Sequence, residues 1–299
     1  MQWLMTLLTF ALLTLSAVNA LSASSYSEED ALYSVDFAGA AYCAGTLGKG
    51  VENWNCGACK SHPGVTNSTV ISDSSLTKTF NGFVAYDSTT NRIVLSIAGT
   101  DPLKLKDWID DLDFVKTEYP MCAEFGPESC SVHEGFLTSY NVASAEVMSV
   151  IKSYKSSHPA AALWVTGHSL GAILAVFASL DLTLNGGIKV DNLITFGQPR
   201  GGDSAFASFV MSNLEEYRLV HFQDPVPHLP PKDLLGSPFF MHPTTEVFYE
   251  QRDSTGTYKV CEGQEDETCS DQFLVDIDLL NHLHYVGFDF ITNYLGCKL

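Results

Sequence analysis

Trp164-Val165-Thr166-Gly167-His168-Ser169-Leu170-Gly171 runs directly into Ala172-Ile173-Leu174-Ala175-Val176-Phe177-Ala178. A short apolar stretch over Leu163–Thr166 predicts a strand. The segment Ser169–Leu184, apolar nearly all round, predicts a buried helix. Gly-x-Ser-x-Gly alone arises by chance in on the order of one chain in ten at ordinary glycine usage, so its context carries the weight. A strand, a sharp turn and a helix around that pentapeptide form a nucleophile elbow. The flanking glycines leave room for the tight turn, and the helix N-terminus points backbone N–H groups toward developing oxyanion charge. Ser169 is therefore the candidate nucleophile; the plainer reading is a glycine-rich helix start capped by a serine.

Outward from the elbow the pattern alternates. Phe80–Tyr86, Arg92–Ala98, Asp191–Phe196 and Arg218–Phe222 read as strands, with helices over Gly135–Tyr154 and Ser204–Glu215. Ser27 and Asp30 resemble a capping box, and Leu32, Val35, Ala38 and Tyr42 follow at helical spacing. Strands alternating with helices predict an α/β fold with a mainly parallel central sheet covered on both faces. Glu246–Gln251 and Thr257–Cys261 read as a late antiparallel addition. No repeat or low-complexity linker divides residues 21–299, so one domain is expected there.

A serine nucleophile needs a base, and the base needs an orienting carboxylate, in the chain order Ser, Asp or Glu, His for this fold. Asp224 follows the strand Arg218–Phe222 and is held in Asp224-Pro225-Val226-Pro227-His228-Leu229-Pro230-Pro231. Asp203 is its rival, but reads better as a helix cap. Spacing does not choose among His228, His242, His282 and His284; the last two are two residues apart, so only one of them can serve.

Sixteen Lys+Arg against 35 Asp+Glu give a net charge of −19, which repels nucleic-acid phosphates and anionic membrane surfaces. Residues 1–20 read as a cleaved signal peptide: an apolar run from Leu4 to Leu15, then Val18 and Ala20 before the cut. The run is shorter than the roughly 18 to 20 residues that span a bilayer. A secreted, extracellular protein is expected. The cysteine count of 8 agrees, reading as four disulfides, although eight cysteines allow 105 connectivities. Proximity suggests Cys56 with Cys59, Cys122 with Cys130, and Cys261 with Cys269; Cys43 and Cys297 then remain. Asn67-Ser68-Thr69 is a glycosylation sequon. Glu262, Glu265, Asp266 and Glu267 could be taken for a calcium loop, but read better as a solvated acidic hairpin. No metal and no cofactor are expected.

In six ordered blocks the sequence resembles the fungal-type (class 3) lipases of the α/β-hydrolase superfamily. These are Arg92–Thr100; Asp107–Leu112, similar to a lid; Val132–Phe136; the elbow with Thr195–Arg200; Asp224–Pro231; and His282-Leu283-His284-Tyr285-Val286-Gly287. The resemblance implies an α/β-hydrolase fold with a short lid and a triad of Ser169, Asp224 and His282. It further implies an oxyanion hole from Thr100 and the Leu170 N–H, and an apolar lid face from Leu103, Leu105, Trp108 and Ile109. It also supports pairing Cys43 with Cys297. One departure is Ala98, where the family commonly has an Arg that anchors the loop. Lys104 and Lys106 in the lid could help it meet a lipid surface. The implied activity is serine carboxylic-ester hydrolysis, foremost of triacylglycerols at an oil–water interface, by a monomer without transmembrane insertion. Phospholipase A1, a feruloyl or short-chain esterase, an acyltransferase and a catalytically silent lipid-binding relative are the alternatives.

Overall fold

The computed structural model describes residues 25–45, 50–73, 80–273 and 278–298; the expected leader at 1–20 lies outside them. Eight strands form one sheet in chain order: β1 Val65–Ser72, β2 Asn81–Asp87, β3 Arg92–Ile97, β4 Ala162–His168, β5 Asn192–Phe196, β6 Glu216–His221, β7 Glu246–Tyr249 and β8 Tyr258–Val260. From β3 to β7 neighbouring strands are parallel, and antiparallel pairs finish both edges.

Side chains alternate across this sheet with the period of two that a strand imposes. Ile93, Leu95 and Ile97 point to one core, with Leu163 and Val165 beside them. Val94 and Trp164 point to the other. The first core is covered by Glu134–Asn141, Ser144–Ser157, Leu170–Leu184 and Ser204–Asn213. The second is covered by α1, Glu28–Ala41, and by the C-terminal helix Phe290–Lys298. Burial on both faces explains why the central strands are nearly continuously apolar. This is the α/β-hydrolase architecture, with the C-terminal ends of β3 to β6 converging on one rim.

Three local readings differ from the sequence expectation. Gly135–Tyr154 is two helices, Glu134–Asn141 and Ser144–Ser157. The buried residues Phe136, Tyr140, Ala143, Val147, Ile151 and Tyr154 keep helical spacing across the break, so periodicity does not reveal it. β7 pairs parallel with β6, and only β8 is antiparallel. β1 has no counterpart among the expected strands, because its Thr- and Ser-rich sequence carries little apolar alternation. Asn67 is exposed on this edge strand.

The disulfides are Cys43–Cys297, Cys56–Cys59, Cys122–Cys130 and Cys261–Cys269. The acidic segment between the last two is not wholly solvated. Glu265 accepts from Arg200 at both oxygens, 2.8 Å from Nε and 2.6 Å from Nη2, while Arg200 Nη1 donates to the His228 and Pro230 carbonyls. Arg200 is buried and needs a counter-charge, which its distant acidic loop supplies. The pair ties that disulfide loop to the Asp224–Pro231 segment.

Candidate active site

β4 ends at His168, the helix Leu170–Leu184 begins two residues later, and the turn between them consists of Ser169 alone. Its backbone sits at φ 61°, ψ −131°, a region that L side chains rarely adopt. Contacts on both sides enforce the turn. A Cβ on Gly167 would lie 2.2 Å from the Gly171 carbonyl oxygen, and one on Gly171 would lie 2.1 Å from that of Ile97. Gly167 is therefore a steric requirement of the tight turn itself, and Gly171 of the contact between the elbow and β3. A Cβ on Gly99 would fall 2.8 Å from Ser169 Cβ, so the Gly99-Thr100 loop lies against Ser169. The Leu170 N–H opens the helix at the same place.

Asp224 follows the C-terminal end of β6, where the topology of a parallel sheet gathers ligand-facing loops. Its Oδ2 accepts from His282 Nδ1 at 2.8 Å and from the Tyr285 hydroxyl, and its Oδ1 accepts from the Val226 N–H at 2.8 Å. Burial alone would raise this carboxyl; the His282 ring, the Tyr285 hydroxyl and the Val226 amide outweigh it and hold the group below the usual carboxylate range. With Nδ1 donating to Asp224, His282 Nε2 carries the lone pair. That Nε2 and Ser169 Oγ are both buried and have no hydrogen-bond partner among the described residues. His282 is tied to the elbow by its own carbonyl, which accepts from His168 Nε2 at 2.7 Å.

The rival residues are occupied elsewhere. Asp203 caps Ser204–Asn213 through the Phe206 N–H and also accepts from the Ser131 N–H. His242 Nε2 donates to the Pro227 carbonyl, and His228 lies 3.4 Å from Asp271. His284 donates to the Leu280 carbonyl and pairs with Asp289 at 3.2 Å on the surface. The expected lid residues do not share one face. Leu103 is 62% exposed, Leu105 is buried, and Trp108 stacks on Phe136 at 6.3 Å while Ile109 packs on the α1-side core. Leu105 leads the short helix Leu105–Asp110, whose turn carries it inward, away from Leu103. Lys106 pairs with Asp110.

Three further residues at the site were not singled out from the sequence. Tyr285 donates to Asp224. Gly197, at φ +58°, leaves room for the pair, since a Cβ there would sit 2.7 Å from the His282 ring and 3.0 Å from Asp224 Oδ2. His168, inside the pentapeptide, is held at both ring nitrogens. Its burial and the neighbouring His282 ring push its imidazole well below the ordinary value, so it is neutral.

Residues 94–234 match the family described as Lipase (class 3). The chain is 33% identical to a lipase of Rhizomucor miehei over 78% of its own length and 62% of that relative's, so it spans less than two thirds of that protein. It is 33% identical to the secreted mono- and diacylglycerol lipase 1 of Fusarium solani, over 83% of this chain and 72% of the relative. The solved Rhizomucor miehei lipase–propeptide complex superposes with a TM-score of 0.75 at 29% identity, covering 89% of this chain and 83% of that one. The family match, the identity to the Fusarium solani lipase across most of both chains and the superposition on a solved lipase lead to one conclusion: the chain belongs to the class 3 lipases.

Proposed function

We propose that the protein is a secreted serine ester hydrolase that cleaves acylglycerols, foremost triacylglycerols, through an acyl-enzyme on Ser169. The observation that carries this reading is a buried, strained serine at the elbow, with the preceding residue hydrogen-bonded to the backbone of a histidine whose Nδ1 is committed to a buried aspartate. His282 Nε2 takes the Ser169 proton as Oγ attacks the ester carbonyl. Asp224 holds the ring in the required tautomer and balances the imidazolium that forms. Thr100 and the Leu170 N–H receive the oxyanion. On collapse His282 protonates the departing alcohol, and water then repeats the sequence in reverse to release the fatty acid.

Ser169 and His282 are 1% and 0% exposed, so a substrate reaches them only after a covering segment moves. The segment Pro102–Asp110, with Leu103 already at the surface, is the lid that opens at an oil–water interface. Among the described residues no helix is long and apolar enough to cross a membrane, which suits contact with lipid from one side. A second reading, preference for mono- and diacylglycerols, is favoured by the name of the Fusarium solani relative. Emulsified triolein, emulsified diolein and p-nitrophenyl butyrate separate these readings, with Ser169→Ala as control. Wild type should cleave the triolein emulsion, and the variant should lose at least ~10³-fold in turnover. Cleavage of diolein alone would move the substrate class; cleavage of the soluble ester alone would leave an esterase. No activity from folded protein would overturn the hydrolase reading.

A further inference from the structure

We propose that Tyr42 and Tyr294 are positioning residues that clamp the Gly99–Asp101 loop from its two ends and so aim Thr100 at the oxyanion. The clamp rests on the reading of Thr100 as an oxyanion donor. An oxyanion donor works only if it is held within about half an ångström of its productive place. The loop has little of its own to hold it, since Ala98 and Gly99 bring no polar side chain.

On the N-terminal side stands Tyr42, the buried residue that ends α1. Its hydroxyl lies 2.6 Å from His168 Nδ1, and His168 Nε2 lies 2.7 Å from the His282 carbonyl oxygen. A carbonyl only accepts, so Nε2 carries the hydrogen, Nδ1 carries the lone pair, and the Tyr42 hydroxyl must donate. The same oxygen lies against Gly99 of the loop. The approach is so close that a Cβ on Gly99 would fall 2.5 Å from it. Hydrogen bonds thus join Tyr42, the residue before Ser169 and the backbone of His282, and Tyr42 packs directly against the oxyanion loop.

On the C-terminal side, the Tyr294 hydroxyl donates to Asp101 Oδ2 at 2.8 Å. Asp101 Oδ1 accepts from the Leu103 N–H, so the same residue also starts the lid. Thr100 therefore sits between two residues that are each held by a tyrosine. The two rings meet edge to face, with centroids 6.4 Å apart. The Cys43–Cys297 disulfide joins the helices that carry them, one residue after Tyr42 and three after Tyr294. Desolvation keeps both phenols protonated as donors.

The test is a kinetic cycle on the full chain with p-nitrophenyl butyrate, comparing wild type, Tyr42→Phe, Tyr294→Phe, Thr100→Ala and Tyr42→Phe with Thr100→Ala. Each is also measured for inhibition by an alkylboronic acid, which forms a tetrahedral adduct on the serine, and for thermal unfolding. Losing one oxyanion donor costs ~10²- to 10³-fold in kcat. Tyr42→Phe should lose roughly ten- to a hundredfold and Tyr294→Phe several-fold, a part of that loss because the donor is misplaced, not removed. KM should stay within about twofold, with boronate affinity falling in step with kcat. The double variant should be little worse than Thr100→Ala, because Tyr42 acts through Thr100. Multiplicative losses in the double variant would overturn the clamp. So would phenylalanine variants that lower the melting temperature but leave kcat and boronate affinity unchanged. Thr100→Ala with unchanged kcat would instead remove the oxyanion reading itself, and the clamp with it. Should Tyr42→Phe not fold, half-buried Tyr294 gives the same readouts from the other end.

Discussion

Between Ala162 and Leu184 the chain builds the Ser169 turn largely from its own neighbours; between Leu279 and Phe290 it holds His282, the proposed base, through residues far away in sequence. In the elbow, Gly167 lets the strand fold back against its following helix, Gly171 lets that helix start against β3, and Ser169 takes the strain between them. Around His282 the partners come from Asp224, 58 residues earlier, and from His168, 114 residues earlier. A local device fails through sterics, whereas a long-range one fails through loss of a polar partner. The two regions should therefore break under different perturbations.

The largest expected effect lies on the long-range side. Three donors converge on Asp224: His282 Nδ1, the Tyr285 hydroxyl and the Val226 N–H. Asp224→Asn brings an NH2 group into a site that has only donors, so one bond is lost or the imidazole takes the wrong tautomer. Turnover should fall by about 10⁴-fold with the chain still folded. A loss under tenfold would show that Asp224 does not orient His282. On the elbow side, Gly171→Ala sets a methyl against the Ile97 carbonyl and the Ala98 backbone, neither of which is a flexible side-chain end. The expected cost is about 1–3 kcal/mol of stability from overpacking, together with about a hundredfold in kcat as β3 and its oxyanion loop shift. Denaturant midpoints and kcat check both, and a variant with normal stability would break the steric account.

Acid should separate the regions by pH. His168 is neutral in the fold because of burial, with its imidazole well below the ordinary value, and burial lowers His242 and His133 likewise. For a histidine lowered on folding, the unfolded chain binds the extra proton. The stabilisation is thus complete above about pH 6.5 and is lost as pH falls below it. Buried Glu216, raised to about 7, works the other way: its contribution shrinks as pH rises from about 4.5 to 7. Three imidazoles outnumber that one carboxyl, so the melting temperature should drop by several degrees from pH 7 to pH 5. Asp224, held below the usual carboxylate range, contributes until the pH falls well under 4. A profile that stays flat between pH 5 and 7 also in Glu216→Gln would mean that His168 and its fellows bind protons in the fold as readily as in the unfolded chain.

The same contrast decides what the sequence makes legible. The elbow can be read because its strand, glycines and helix are contiguous, and the central strands can be read because burial on two faces leaves them apolar. Asp224 and His282 are adjacent in space only, so spacing left four histidines open and the family resemblance chose between them. The Glu265–Arg200 pair, 65 residues apart, is invisible for the same reason, and acidity alone suggested a solvated hairpin. Leu103 and Leu105 look alike in sequence, yet one is exposed and the other buried. Tyr42 and Tyr294 bracket Thr100 only after the ends of the domain are brought together.

The smallest effect provides the sharpest contrast within the base segment itself. His284 lies two residues from His282 in the same block, and by composition neither is preferred. In the fold, His284 is 40% exposed at its side chain, donates to the Leu280 carbonyl and faces Asp289 across 3.2 Å. An exposed contact of this kind is worth at most about 1 kcal/mol, and the His284 ring is engaged by Leu280 and Asp289, whereas Asp224 accepts from His282 and Tyr285. His284→Gln keeps a donor and should leave kcat within about twofold, whereas His282→Gln removes the imidazole nitrogen that Asp224 orients. If the two substitutions cost the same on p-nitrophenyl butyrate, the long-range partners do not select the base. If only His282→Gln abolishes turnover, then burial and Asp224, not position in the block, distinguish two otherwise equivalent histidines.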